Sequence, residues 1–262
     1  EGNLFNSGTQ GLYPPGSTFK LLLAFEYIRE HPGDWQNFTF QCTGEYKDPD
    51  NPSNVVHCYN GEVHGKLDLQ SAIADSCNSA FAKIGTEIDV TRFQSLVQDF
   101  YYNKELSIGL PTKTGRFSLQ ADSPTWLKMQ SGIGQGETLC TPLQNLCMVS
   151  AIANHGKLLS PQLFSEVRTK EGTVVKRFGR EEERTLMSES ESATLTEFMR
   201  SVVTEGTASA LKTKSYAACG KTGSAQITEN GKIKTNAWFV GFAPMENPRI
   251  AVAVLVEDGE TG

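Results

Sequence analysis

No stretch of this chain is apolar for long enough to cross a membrane, and no secretory leader opens it. That speaks only for the 262 residues in hand. No cluster of Lys and Arg is present either. With 24 basic against 30 acidic residues the net charge is −6, which excludes a nucleic-acid footprint. The charge run Arg180-Glu181-Glu182-Glu183 reads as a solvated loop. Six cysteines are too few for a disulfide scaffold at this length, and Cys77, Cys140, Cys147 and Cys219 lie among apolar or small residues as buried small hydrophobes. Internal repeats and low-complexity tracts are also missing, which excludes a solenoid.

What is present is an ordinary globular composition, 38% apolar and 21% charged, sufficient for one large domain or two small ones. Apolar spacing predicts helices over Ser17 to Arg29 (Leu21, Leu22, Phe25 and Ile28 on one side), Leu67 to Ile88, Asp89 to Tyr102, Thr141 to Gly156 and Ser188 to Thr204. The polar run Asp75-Ser76-Cys77-Asn78-Ser79 marks a break between two helices. Thr141-Pro142 is a clean helix start. Asn37 to Tyr59, rich in Pro, Asn and Asp, reads as a long loop. A hairpin is expected around Glu171-Gly172. Three strands, Tyr216 to Lys221, Ala237 to Phe242 and Ile250 to Glu257, close the chain as a meander, with turns at Asn230-Gly231 and Pro244 to Pro248. Helices followed by a late antiparallel sheet mean an α+β architecture. The glycine-rich loop Gly132-Ile133-Gly134-Gln135-Gly136 lacks the residues of a nucleotide loop and reads as a backbone that something approaches closely.

The chemistry centres on Tyr13-Pro14-Pro15-Gly16-Ser17-Thr18-Phe19-Lys20. Pro15 and Gly16 block a helix upstream, so one starting at Ser17 places Lys20 a turn later on the same face. A serine hydroxyl needs a base to become a nucleophile, and a lysine amine held partly neutral can serve. The helix start also supplies unpaired N–H groups for an oxyanion. Alone, Ser-x-x-Lys describes a capping serine beside a solvated lysine. Two more motifs follow in order: Ser76-Cys77-Asn78, and Lys221-Thr222-Gly223-Ser224 at a strand end. Together the three resemble the signature that penicillin-binding proteins share with class A β-lactamases.

These motifs, with Gly132-Ile133-Gly134-Gln135-Gly136, Thr141-Pro142-Leu143-Gln144, Glu205-Gly206-Thr207-Ala208 and Trp238-Phe239-Val240-Gly241-Phe242, resemble class B penicillin-binding proteins over essentially the whole chain. The resemblance implies a β-lactamase/transpeptidase-like fold, an antiparallel sheet flanked by a mostly helical subdomain. It implies a D,D-transpeptidase that joins peptidoglycan stem peptides through a Ser17 acyl-enzyme and is acylated by penicillins. Lys20 would take the Ser17 proton, and Ser76 would relay a proton to the leaving group. Asn78 would hold Lys20 and the substrate amide. Lys221 would add positive potential and depress the Lys20 pKa. Thr222, Gly223 and Ser224 would line the substrate, with Gly223 leaving room for a substrate strand, and Ser17 and Ser224 N–H groups would form the oxyanion hole. No cofactor is implied for catalysis. The implied partners are stem peptides, lipid-linked precursor or glycan strands, β-lactams and proteins of the division or elongation machinery, at the outer face of a bacterial membrane. Residues 1–262 are expected to be one transpeptidase domain of a longer protein, without the family's anchor, pedestal, first strands and closing helix. Elongation, division and sporulation roles stay open. A D-Ala-D-Ala carboxypeptidase and a β-lactam sensor are the alternatives. A lactamase ranks low, because the context of Glu137 does not match that of a deacylation base.

One cluster stands apart. Cys42, Cys58, His57 and His64, with Asp48 and Asp50, share a short stretch without a standard zinc spacing. A structural zinc on Cys42, Cys58 and His64 (with Asp48 or Asp50), a Cys42–Cys58 disulfide and unlinked side chains all remain open.

Overall fold

In the computed structural model, which describes residues 5–179, 183–212, 215–229 and 231–259, short polar residues open most of the helices. Arg180, Glu181 and Glu182 of the charge run and Asn230 of the last turn lie outside the described residues. Helix α1 (Ser7–Gln10) starts at Asn6, whose side chain accepts from the Gly8 N–H. A 3-10 turn over Gly16–Phe19 then runs into α2 (Lys20–Glu30). A single helix from Ser17 was expected. The first turn is wound tighter instead, with the Lys20 N–H shared between the Ser17 and Thr18 carbonyls, as happens where a helix start lacks partners one turn back.

The stretch read as a long loop contains β1 (Phe40–Cys42), β2 (Glu45–Lys47) and β3 (Val55–His57), with β4 (Gly65–Leu67) after it. β1 pairs antiparallel with β4, and β2 with β3. Three-residue strands are too short to show a period-two alternation, so their sequence carries no strand signal. Next come α3 (Leu69–Ala74) and α4 (Asn78–Glu87), separated at the expected break. Asp68 and Ser71 cap α3 reciprocally, while α4 is opened by the Cys77 sulfur, which accepts from the Ala80 N–H at 3.4 Å.

Helices α5 (Val90–Asp99), α6 (Thr125–Gly132) and α7 (Pro142–Ala153) follow. α7 has the expected Thr141 cap, answered by Gln144. β5 (Lys157–Leu159) pairs with β8 (Glu183–Thr185), and β6 (Glu166–Arg168) with β7 (Val174–Arg177) as the expected hairpin. Helix α8 (Glu189–Thr204) starts at Ser188. β9 (Cys219–Glu229), β10 (Lys232–Ala243) and β11 (Ile250–Val256) form an antiparallel sheet in the order β11-β10-β9. The mixed α+β architecture is therefore as expected.

Lys221 differs in place from the sequence reading. It lies near the start of a strand running to Glu229, not at a strand end, because β10 pairs with β9 from Cys219↔Phe242 through to Glu229↔Lys232. That ladder overrides the turn-like composition of Thr222-Gly223-Ser224.

The core locks the serine turn from below. Phe19 packs its ring on Phe93, Tyr102 and Phe117, with centroids 5.5–5.8 Å away. Buried Trp238 of β10 donates its indole N–H to the Pro14 carbonyl at 2.9 Å. The glycine-rich loop makes the close approach its composition suggested: Gly134 has φ +70°, and a Cβ there would stand 2.0 Å from the Gly16 carbonyl oxygen.

Candidate active site

Three elements meet at a cavity of about 660 Å³: the 3-10 turn before α2, the α3–α4 break, and β9. Ser17, Ser76, Asn78, Thr222, Gly223 and Ser224 all line it. Lys20 and Lys221 are fully buried beneath. All eight residues singled out by the three motifs are thus brought together.

Ser76 is the hub of the hydrogen bonding. Its φ of 54° is a left-handed conformation that a serine adopts at a cost, and it turns the carbonyl and hydroxyl toward the two lysines. The Lys20 amine donates to the Ser76 carbonyl and to Asn78 Oδ1, both at 2.7 Å. Lys221 donates to Ser76 Oγ at 2.8 Å and to the Thr222 carbonyl at 2.9 Å. A neutral amine has two N–H donors and one lone pair. With both donors of a neutral Lys20 held by the Ser76 carbonyl and Asn78, its lone pair is left to accept a proton, and the Ser76 hydroxyl lies 3.4 Å from the amine.

Burial brings the Lys20 ammonium down to about 7. The sequence reading assigned that depression to Lys221. Desolvation is the cause here, and the repulsion between the two amines acts instead on Lys221, whose own pKa falls well below the usual lysine range, from burial first and Lys20 second. Gly223 lines the cavity and is also pressed by the serine turn. A Cβ there would meet Thr18 and the Pro15 carbonyl at 3.2–3.3 Å, so the serine turn packs closely against it. Gly16 answers from the other side: at φ +53° its own Cβ would lie 2.7 Å from the Ser224 carbonyl oxygen.

The profile of the penicillin binding protein transpeptidase domain matches residues 1–262. The chain belongs to this family. It is 31% identical, over 98% of its length, to the peptidoglycan D,D-transpeptidase PbpA of Mycolicibacterium smegmatis, of which it covers 52%. It spans about half the length of the curated relatives it matches. The D,D-transpeptidase domain of a peptidoglycan glycosyltransferase from Eggerthella lenta superposes with a TM-score of 0.88 at 26% identity, covering 100% of this chain and 64% of that one. The imipenem acyl-enzyme of penicillin-binding protein A from M. tuberculosis gives 0.87 at 25% identity, over 98% of this chain and 58% of that one.

Within this transpeptidase domain, the fold shows contacts that the sequence names no partner for. Thr207 shares a hydrogen bond of 2.6 Å with Thr222, hydroxyl to hydroxyl. Gly206 lies against the end of α3, where a Cβ would stand 2.1 Å from the Ala74 carbonyl oxygen. Asn78 Nδ2 donates to the His57 carbonyl at 2.9 Å. Glu137 lies away from the cavity and pairs with Arg116 and Ser118, which hold its carboxyl below the usual range. It is not placed to activate a water.

The cysteine stretch folds against the same cavity. Cys42, Cys58 and His64 do come together, and Cys77 joins them, with all four ligand atoms within 4.8 Å of one another. Cys77 is buried in the core, as its context predicts, and it also faces this cluster. Its partners are distant in sequence, and its neighbours give no hint of them. All six cysteines are free. Asp48 and Asp50 are engaged elsewhere: Asp48 accepts from Asn54 and the Asp50 N–H, and Asp50 from the Thr125 hydroxyl. The hydrogen bond between Cys58 and Cys77 lowers the Cys58 thiol and pushes the Cys77 thiol up.

Proposed function

We propose that this domain is the catalytic part of a peptidoglycan D,D-transpeptidase. The observation that carries this reading is a buried amine near pKa 7 whose two N–H groups are taken by Ser76 and Asn78, one turn after a cavity-lining serine. Ser17 Oγ attacks the carbonyl of a donor D-Ala-D-Ala peptide as Lys20 takes its proton. The tetrahedral intermediate collapses, the C–N bond breaks, and the D-Ala amine leaves with a proton passed through Ser76. An acceptor amine then attacks the ester carbonyl and gives its proton to the relay; the new amide bond forms, the Ser17 C–O bond breaks, and Ser17 Oγ takes its proton back from Lys20. Lys221 holds the Ser76 hydroxyl and presents positive potential to the terminal carboxylate, beside Thr222 and Ser224. These roles use protein groups alone.

A β-lactam enters the same path and stops at the ester. The imipenem acyl-enzyme of the M. tuberculosis relative supports this reading. The absence of a carboxylate placed like a deacylation base at Glu137 disfavours a lactamase. The substrate places the domain at the outer face of a bacterial membrane, held there by a segment outside these residues, among proteins of the division or elongation machinery. No helix among the described residues is long and apolar enough to cross a membrane.

Intact-protein mass spectrometry after incubation with penicillin tests the acylation step. One lasting adduct on Ser17, absent in Ser17→Ala, is expected. A folded Ser17→Ala protein that is still labelled refutes the assignment. Turnover of a D-Ala-D-Ala thioester, with transfer to an added amine, separates a transpeptidase from a carboxypeptidase and a sensor.

A further inference from the structure

We propose that a second cavity, adjoining the catalytic one, binds an N-acetylated sugar ring of the glycan that carries the stem peptides. This cavity measures about 260 Å³. Pockets for drug-sized ligands span roughly 300–1,000 Å³, so a single ring is the size that suits it. Val55, Val56 and Gln130 line both cavities, and Trp126 and Asn54 belong to the second alone. The inference rests on the transpeptidase reading, which supplies a substrate made of charged peptide joined to neutral sugar.

The lining has the chemistry of a saccharide site. Trp126 is 47% exposed although it borders a pocket. An indole left open to water presents a flat apolar face and a polar N–H. The C–H face of a pyranose stacks on such a ring while its hydroxyls stay solvated. Two carboxamides stand beside it. The Gln130 amide has no hydrogen-bond partner among the described residues. Asn54 gives one N–H to Asp48 Oδ2 at 3.1 Å, which leaves its carbonyl oxygen and second N–H for ring hydroxyls or an acetamide. Beneath them, Val56 and Met129 are buried and pack with Ala82 in a small apolar cluster apart from the main core, a floor for the acetamide methyl. No ionisable side chain among the described residues lines this cavity. Stem peptides carry carboxylates and an ammonium, whereas acetylated amino-sugar rings are neutral. An uncharged, half-apolar lining therefore favours the sugar, because a charge placed there would lose its water without gaining a partner.

The walls are held in place before any ligand arrives. Trp126, Met129 and Gln130 are three and four residues apart on α6 and so share one face of it. Asp50 accepts from the hydroxyl of Thr125, next to Trp126, at 2.9 Å. Asp48 accepts from the Asp50 N–H at 2.9 Å, and its own N–H donates to the Asn54 carbonyl at 3.0 Å. The loop that carries Asn54 is thus closed on itself and tied to the start of the helix that carries Trp126. Asp48 and Asp50, which line neither cavity, set the spacing between the two walls.

The test measures sugar binding and acyl transfer separately on the full-length protein. N,N′-diacetylchitobiose, a neutral acetylated disaccharide, should change the tryptophan fluorescence saturably, since Trp126 is the most exposed tryptophan of the described residues. Trp126→Ala, checked for its fold by circular dichroism, should lose that signal, and Trp126→Tyr, which keeps a flat ring, should retain binding. Offered as donor and then as acceptor, a stem peptide bearing the disaccharide should in one of these roles be used about tenfold more efficiently than the bare peptide, read as kcat/KM. Trp126→Ala should bring it down to the level of the bare peptide. Equal use of the two peptides in both roles, a preference that survives Trp126→Ala, or a fluorescence change with the bare stem peptide and not with the disaccharide overturns the sugar site. Protein that binds the disaccharide through Trp126 but takes up no penicillin sinks the transpeptidase reading and leaves the sugar site standing.

Discussion

The two walls of the cavity are built on different principles. One wall, the serine turn and β9, rests on a dense core: Phe19, Leu22, Phe25 and Trp238 are almost wholly buried, and β9 is paired along its length. The other wall, between residues 38 and 68, is built on three-residue strands and their connections, and its buried side chains are only Phe38, Cys42, Asp48, Val56, Cys58 and Leu67. Packing fixes the first wall; a well-filled interior resists even small shifts. The second buries too little apolar surface to fix itself to that degree, and it carries the thiol cluster instead. Asn78 and Ser76 lie where the walls meet, so their placement draws on both.

The comparison can be broken most severely at Ser17. Ser17→Ala should abolish covalent penicillin labelling with unchanged circular dichroism; residual labelling would mean the nucleophile lies elsewhere. Lys20→Met removes the base and both of its hydrogen bonds, and stopped-flow acylation should slow by about 10²–10⁴-fold. On the packed wall alone, Phe19→Ala should cost about 3–5 kcal/mol, seen as a midpoint loss in urea unfolding, because the three rings around it cannot collapse together.

A smaller effect sharpens the electrostatics. Lys20 acts as a neutral amine, and burial sets its pKa at about 7. The neutral fraction therefore grows as pH rises, and the acylation rate should climb about tenfold between pH 6 and 8 before levelling. A flat profile across that window would remove Lys20 from the base role. Smallest of all, Thr207→Val takes one hydroxyl from Thr222 and should cost about 1 kcal/mol of stability or a few-fold in acylation rate, measured side by side.

Much of the first wall was legible from the chain. Pro15-Gly16-Ser17 can only end one segment and start another, Thr141-Pro142 marks a helix start by rules that act within a few residues, and Asp75 to Ser79 disfavour a helix interior. Most of the second wall was not. β1 to β3 are too short to display alternation, and nothing around Cys77 marks it as a partner of Cys42, Cys58 and His64, which lie 13 to 35 residues upstream. Lys221 was recognised by its motif, but its position inside a strand depended on pairing with β10.

The order and chemical type of the catalytic groups were determined by the sequence itself: Ser17 and Lys20 one turn apart, then a hydroxyl and an amide at Ser76 and Asn78, then a lysine beside small residues at Lys221 to Ser224. Local rules act over a few residues, and these motifs are that short. Tertiary structure alone decided what surrounds them. Burial, not a neighbouring charge, lowers Lys20; the serine turn packs closely on Gly223; and a cysteine of the second motif meets two others and a histidine. Desolvation, close contact and ligand geometry depend on atoms distant in sequence, and only the folded chain brings those atoms within reach.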